Sequence, residues 1–326
     1  MYTNSSKITG PKVTVLMTVY NDEAFVSEAI ESILNQTFCY FEFVIIDDGS
    51  NDSTPDILKS YAHKDERIKV FWEKNSGTTV AANYGLSLSS GEYVARIDSD
   101  DRSFPFRLAT EVEFLDSHPS VALVGGGAEI IDRRGNVVGV RNIRVKDPGF
   151  ALKHRCIYQQ SDTMFRRDVV LKLGGYREKF RNAQDYDLWL RISECRSIAK
   201  LDIVLGQWRL NGGGYTLARA REQKSEVKII KAFANQRLKT GKDGYANYLP
   251  APVPSHRAKI PKGSYDLYVA VVLLKAGRHR EARAIALEYV KSGTDLPSLG
   301  LLIASFMPRF LLQGLFSLRE VILNSI

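Results

Sequence analysis

Cysteine is scarce in this chain of 326 residues: Cys39, Cys156 and Cys195 are odd in number, scattered, and nowhere in a CxxC spacing. That argues against both a disulfide framework and a clustered zinc site, and makes a reducing, cytosolic compartment the expectation. The N-terminal stretch MYTNSSKITGPK lacks the apolar core of a secretory signal. No run of about twenty apolar residues is unbroken, so a transmembrane helix is not expected. The most apolar segment, LGLLIASFMPRFLLQGLFSLREVIL, is interrupted by Pro308, Arg309 and Gln313. It is expected to pack as amphipathic helices or to lie on a membrane surface. Helix-turn-helix and zinc-finger spacings are missing, as are basic motifs interleaved with aromatics, so nucleic acid is not an expected partner.

Charge is plentiful but unevenly placed. Residues 1–130 hold twenty acidic side chains against ten basic ones, whereas residues 131–260 hold twenty-seven basic against twelve acidic. Either the middle section has a solvated basic surface or it meets something anionic, such as lipid headgroups or a phosphate-bearing substrate.

Strand and helix patterns alternate through the first hundred residues. The β-branched run Val13–Val19 predicts a strand, with Asn21 as N-cap of a helix carrying Phe25, Ala29, Ile30, Ile33 and Leu34 at helical spacing. Phe41–Ile46, Ile68–Trp72 and Glu92–Ile97 predict three more strands, separated by helices from Pro55 and up to about Leu88. Helix-linked apolar strands imply a parallel sheet covered on both faces. From Val121 to about Gln207 the pattern is mixed. Ala218 to about Lys239 predicts one long charged helix, Leu249–Gly263 a proline-rich linker, and Tyr265–Lys275 with Arg280–Lys291 a helical hairpin.

Ligands of such sheets bind at the carboxyl edge of the strands, and the polar clusters TVYN, DDGS and DSDD all fall there. In Asp98-Ser99-Asp100-Asp101, carboxylates at i and i+2 leave a strand together and suit a hard cation. The alternative is an acidic helix start, with Asp101 or Ser103 as cap. Asp47 and Asp48 can accept hydrogen bonds from a base or ribose, or cap the next helix. Thr18 and Tyr20 flank Val19 and share one side of their strand.

The blocks TVYN, QTFCYFEFVIIDDGSNDST, NSGTTVAANYGLSLSSGEYVARIDSDD and QDYDLWLR together resemble the family-2 glycosyltransferases over residues 11–215. The resemblance implies the GT-A fold, a Rossmann-like α/β architecture with a mostly parallel sheet flanked by helices. It divides the chain into a nucleotide-binding half (11–102), an acceptor half (103–215) and an α-helical C-terminal region (216–326). It further implies transfer of a sugar, with inversion, from a nucleotide-diphosphate donor (a UDP-sugar) to a hydroxyl on a saccharide or lipid-linked saccharide, in cell-surface polysaccharide or glycoconjugate synthesis. Thr18, Tyr20, Asp47, Asp48, Asn75 and Asp98 would then contact the donor nucleotide, and Asp100 with Asp98 would hold Mn²⁺ or Mg²⁺. Asp185 would be the catalytic base. Gln184, Arg209, Asn211 and Gly213 would lie at the acceptor side or in a flap. The basic middle section adds the expectation of peripheral attachment to the inner face of an anionic membrane.

Three departures stand out. Gln184 replaces a usual Glu, Ala82 replaces an Arg before Asn83, and Arg209-Leu210-Asn211 replaces an Arg-x-His pattern before Gly212–Gly214. They keep open a non-catalytic nucleotide-sugar sensor or scaffold. A nucleotidyltransferase is the weaker alternative, because TVYNDEAF has neither the glycine nor the basic residue of a phosphate loop.

Overall fold

The computed structural model describes residues 10–211, 219–250, 264–292 and positions 303, 305 and 306. The first half runs β1 (Val13–Val19), α1 (Val26–Leu34), β2 (Phe41–Asp47), α2 (Thr54–Lys64), β3 (Ile68–Trp72), α3 (Thr78–Leu88) and β4 (Tyr93–Asp98). It continues through β5 (Arg102–Ser103), α4 (Arg107–Ser117), β6 (Val121–Ile131), β7 (Val137–Arg141), α5 (Pro148–His154), β8 (Thr163–Arg166) and α6 (Arg167–Lys172). Then come α7 (Gln184–Cys195), β9 (Ser197–Arg209), α8 (Ala220–Thr240), α9 (Ser264–Lys275) and α10 (His279–Ser292).

Nine strands make one sheet in the order β3-β2-β1-β4-β8-β6-β9-β5, with β7 paired to β6. The first four strands are parallel: β1 pairs with β2 and β4, and β2 with β3. Beyond β4 the direction reverses, since β8 is antiparallel to both β4 and β6, and β5 to β9. The chain divides into two compact units. One holds Met1–Glu129, Arg141–Arg209 and Arg219–His256; the other holds Ile130–Val140, Leu210–Ala218 and Arg257–Ile326. Within the second unit α9 and α10 pack on each other, and Arg133 N–H donates to the Tyr265 hydroxyl at 2.9 Å.

The period of two along each strand sorts the core into two layers. Val13, Val15, Met17 and Val19 of β1 join Phe43 and Ile45 of β2 on the side covered by α1 and α4. Leu16, Val44, Ile46 and Val94 face the other way, toward α3, α7 and part of α8. Gly85 of α3 allows the second contact: a Cβ there would lie 2.3 Å from a Leu16 methyl. Trp189 of α7 is fully buried in this layer, 5.8 Å from the Phe165 ring. Trp189→Ala should therefore cost about 3–5 kcal/mol in denaturant unfolding, the usual range for a buried large aromatic. A loss under about 1 kcal/mol would contradict this placement.

Several sequence expectations are corrected locally. Asn21 does not cap α1. It takes a left-handed conformation (φ 52°), its side-chain oxygen accepts the Asn51 N–H at 2.8 Å, and α1 starts only after Phe25. Neither Asp101 nor Ser103 caps the following helix, because α4 begins after Phe106. Helix α7 starts at Gln184, which puts Asp185 inside its first turn. The linker beyond residue 250, Gly212–Gly214 and most of the apolar C-terminal segment lie outside the described residues. No helix among the described residues is long and apolar enough to cross a membrane.

Candidate active site

At the carboxyl edge of the parallel strands, the loops after β1 and β2 are stitched together. Asp48 N–H donates to the Val19 carbonyl at 2.9 Å, Asn21 N–H to Ser50 Oγ at 2.9 Å, and Asp22 N–H to Thr54 Oγ1 at 2.9 Å. The buried Asp47 carboxylate turns inward to accept the Ser50 N–H at 2.9 Å. Asp48 instead reaches across to the loop before α3, accepting the Ser76 N–H at 2.7 Å and the Gly77 N–H at 2.9 Å. Gly49, at φ 79°, lies so close to Asn75 that a Cβ would stand 2.8 Å from the Asn75 nitrogen. Thr18 Oγ1 lies 3.0 Å from Thr78 Oγ1 at the start of α3. The structure thus gathers Thr18, Asp48 and Asn75 into one group. Tyr20, 39 % exposed, stands just past the end of β1.

A second group forms around the end of β4. Asp98 accepts a hydrogen bond from Gln160 Nε2 at 2.8 Å, and its own N–H donates to Ser161 Oγ at 3.0 Å. Asp101 accepts the Ser161 hydroxyl and, at 2.8 Å, the Arg209 N–H. Arg209 Nε donates to the Asp100 carbonyl at 2.8 Å, and its Nη2 pairs with Glu28 at 2.5 Å. This corrects the expectation of Arg209 at a flap. The side chain is 3 % exposed and braces the Asp98–Asp101 turn. Asn211 is half-buried and belongs to the second unit, while Gly213 lies outside the described residues.

The electrostatics of this turn are unbalanced. Burial, then repulsion from Asp22 and Asp98, pushes the Asp100 carboxyl up to about 7. Burial and the charges of Asp100 and Asp98 drive Asp101 well above the usual carboxylate range. Burial also raises Asp22, against the hydrogen bond from Ser99 and the charge of Arg209. Asp185, in the first turn of α7, is raised to about 6 by burial, with the Asp98 charge adding to it and the Tyr186 N–H bond opposing. The Asp98 charge therefore bears on Asp22, Asp100, Asp101 and Asp185 alike. No hydrogen bond or ion pair among the described residues joins Asp48 to Asp100 or Asp185. The loop after β1, through Asp22, is what connects the two groups.

Asp22, Glu28, Gln160 and Ser161 escaped the sequence reading. Asp22 lay next to a recognised block, but Gln160 and Ser161 precede a short antiparallel strand whose pairing to β4 no local pattern reveals. Among the described residues, Gln184 Oε1, Tyr176 Oη, Trp189 Nε1, and Nε and Nη1 of Arg96 are buried with no hydrogen-bond partner. Arg96 points to the same side of β4 as Asp98, with its guanidinium 5.9 Å from the Tyr176 ring centre. Buried polar atoms of this kind are normally met by water or a ligand.

Among the described residues no three His, Cys, Asp or Glu side chains converge as a metal cage. That suits a cation held by one or two carboxylates and completed by substrate phosphates. The crowded carboxylates fit such an ion: Arg209 opposes part of the charge at Asp22 and Asp100, and a divalent ion would offset more of it.

The fold is the GT-A architecture of solved glycosyltransferases, and the relatives of the chain place it among the glycosyltransferases. The chain belongs to glycosyl transferase family 2, whose model matches residues 14–174. EpsE of Bacillus subtilis (strain 168), which carries a provisional glycosyltransferase name, is 40% identical over 190 residues, covering 57% of this chain and 68% of its own. The O-antigen biosynthesis glycosyltransferase WbnJ of Escherichia coli is 33% identical over 193 residues, 57% of this chain and 74% of its own. In fold the chain is similar to the mannosyltransferase PcManGT of Pyrobaculum calidifontis, solved with GDP-Man and Mn²⁺. That likeness has a TM-score of 0.55 at 20% identity and covers 91% of this chain and 79% of the other.

Proposed function

We propose that this enzyme transfers a sugar from a nucleotide-diphosphate donor to a hydroxyl acceptor in a single, inverting displacement. The observation that carries the reading is the crowd of mutually repelling carboxylates at the carboxyl edge of β4, with Asp185 at the helix start beside them. Asp98 and Asp100 would hold Mn²⁺ or Mg²⁺; a bound divalent cation supplies charge against a departing diphosphate. Thr18, Tyr20, Asp47, Asp48 and Asn75 would shape the nucleotide site. Asp47 already accepts an N–H of its own loop and Asp48 two from the loop before α3, and a carboxylate has about four lone-pair sites, so acceptor capacity remains for a base or ribose. Asp185 would take the proton from the acceptor hydroxyl. Its raised pKa makes it a stronger base than an ordinary aspartate, yet still ionised near neutrality.

Uracil is the base assigned to the donor here, as the motif resemblance implies. PcManGT was solved with GDP-Man, so the assay must include both. WbnJ is named for O-antigen biosynthesis, which favours a saccharide or lipid-linked saccharide acceptor in cell-surface polysaccharide synthesis. The basic side chains of residues 131–260 would suit an anionic, peripheral membrane setting for that acceptor.

A panel of UDP-, GDP- and other nucleotide sugars, run with and without Mn²⁺, provides the test. One donor class is expected to raise the melting temperature and to release its nucleoside diphosphate only with the cation present, because a selective ligand stabilises by mass action. If no donor gives either signal with any divalent ion, the proposal fails.

A further inference from the structure

The backbone that leads into Asp185 is gripped from a distant helix. Glu226 of α8 is 7 % exposed, and its carboxylate accepts the N–H groups of three consecutive residues. Arg181 lies 3.1 Å from each oxygen, Asn182 donates at 2.7 Å and Ala183 at 3.1 Å. The side-chain amide of Asn182 is a fourth donor, at 2.7 Å. Gln223, one turn earlier on α8, donates to the Asn182 carbonyl at 2.9 Å. From the other side, Thr79 Oγ1 holds the Phe180 carbonyl at 2.9 Å.

Ala183 is the N-cap of α7, and it has no side chain able to accept a hydrogen bond. A helix start exposes unpartnered N–H groups and favours negative charge nearby. An Asp or Ser at the cap would meet that need locally. In this chain the carboxylate comes instead from α8, beyond the residues 14–174 that match the family model. Burying a carboxylate costs free energy that only close, well-aimed partners offset, and those partners here are the amides of the segment ending two residues before Asp185.

We propose that Glu226 is a positioning residue for the catalytic base: it sets the start of α7 so that the Asp185 carboxylate meets the acceptor hydroxyl. The inference rests on the reading of Asp185 as base. Glu226 touches neither donor nor acceptor, and it acts through the backbone of residues 181–183.

The test uses the full-length protein carrying Glu226→Ala or Glu226→Gln, the latter nearly isosteric but presenting an amide N–H₂ to the backbone donors. A displacement of about 1 Å at a reacting group costs on the order of a hundredfold in rate. The expected result is thus a fall in kcat approaching that size, with the donor KM unchanged. Formate should fit the space left in Glu226→Ala and restore kcat saturably, with formamide inert and the unaltered enzyme insensitive to both. Should Glu226→Ala not fold, the kcat-against-KM split is read on Glu226→Gln. In a double variant with Asp185→Asn, the second change should add little, as for residues acting as one unit.

Unchanged kcat in folded Glu226→Ala overturns the proposal, as does a loss indifferent to formate in which donor binding falls in parallel. The outcomes remain separable from those for the base itself. If Asp185→Asn alone turns over normally, the base assignment fails whatever Glu226 does. If Asp185→Asn is inactive while Glu226→Ala keeps full kcat, only the positioning role is lost.

Discussion

Asp185→Asn is expected to lower kcat by about 10²–10⁴-fold, the usual worth of general-base assistance, while nucleotide binding persists. Asparagine keeps the shape and can still accept the Tyr186 N–H bond, so the helix start should survive. What is lost is the negative charge that draws a proton from the acceptor. In the unaltered enzyme the same group predicts an acid limb in kcat: activity should fall as pH drops below about 6, where burial and Asp98 have set the Asp185 pKa. A cation bound beside Asp98 would offset part of that repulsion and move the limb to lower pH. Stopped-assay rates across pH, with nucleotide affinity measured in parallel, check both statements. An Asp185→Asn enzyme with unreduced kcat would remove the residue from its assigned role.

Asp100→Asn should cost about a thousandfold or more in activity, since cation stabilisation of developing charge is worth several kcal/mol. It should also make the cation-free protein more heat-stable, and the sign follows from linkage. The unfolded carboxyl titrates near 3.9 and the folded one at about 7. Between those values the folded state binds the proton more tightly, so folding stability falls as pH rises through that window. Removing the charge should raise Tm at about pH 8, and the gain should vanish at about pH 3, below both pKa values. Mn²⁺ should stabilise the unaltered protein but not the variant. Identical melting of the two at every pH, with and without Mn²⁺, would show that Asp100 neither crowds nor binds. The expected trade of stability for function is common where like charges are gathered for chemistry.

The parallel half of the sheet was readable because strand and helix alternate there with strong apolar periods; Val13–Val19 and Ile68–Trp72 coincide with β1 and β3. Helix starts were less legible. Asn21, Asp101 and Ser103 all have cap-forming side chains, but other partners claim them, distant in sequence for the first two. Asn21 holds Asn51, Asp101 holds Arg209 and Ser161, and Ser103 binds the Arg107 guanidinium at 2.9 Å. The acidic turn at Asp98–Asp101 was visible as a motif, whereas its supports were not. Gln160 with Ser161, Arg209 and Glu28 come from three separate segments, and the antiparallel pairings of β8 and β5 bring the first three residues to β4 and its turn. Glu226 was hidden for the same reason: nothing in a long charged helix marks the one carboxylate that turns inward.

The opposite edge of the parallel strands carries a buried acid of another kind. Glu42, near the start of β2, accepts bonds from Thr14 at 2.6 Å, Lys69 at 2.7 Å, and both the N–H and hydroxyl of Ser90 at 2.7 Å. Burial works to raise its pKa, but these partners outweigh burial and hold it at about 2. The two ends of the strands thus answer substitution in opposite ways. Changes around Glu42 should show up as protein that fails to accumulate, because its charge is already matched inside the fold. Changes around Asp100 should yield sturdy, easily purified, inert protein. A library scored once for abundance and once for catalysis would separate the two rims along the same four strands.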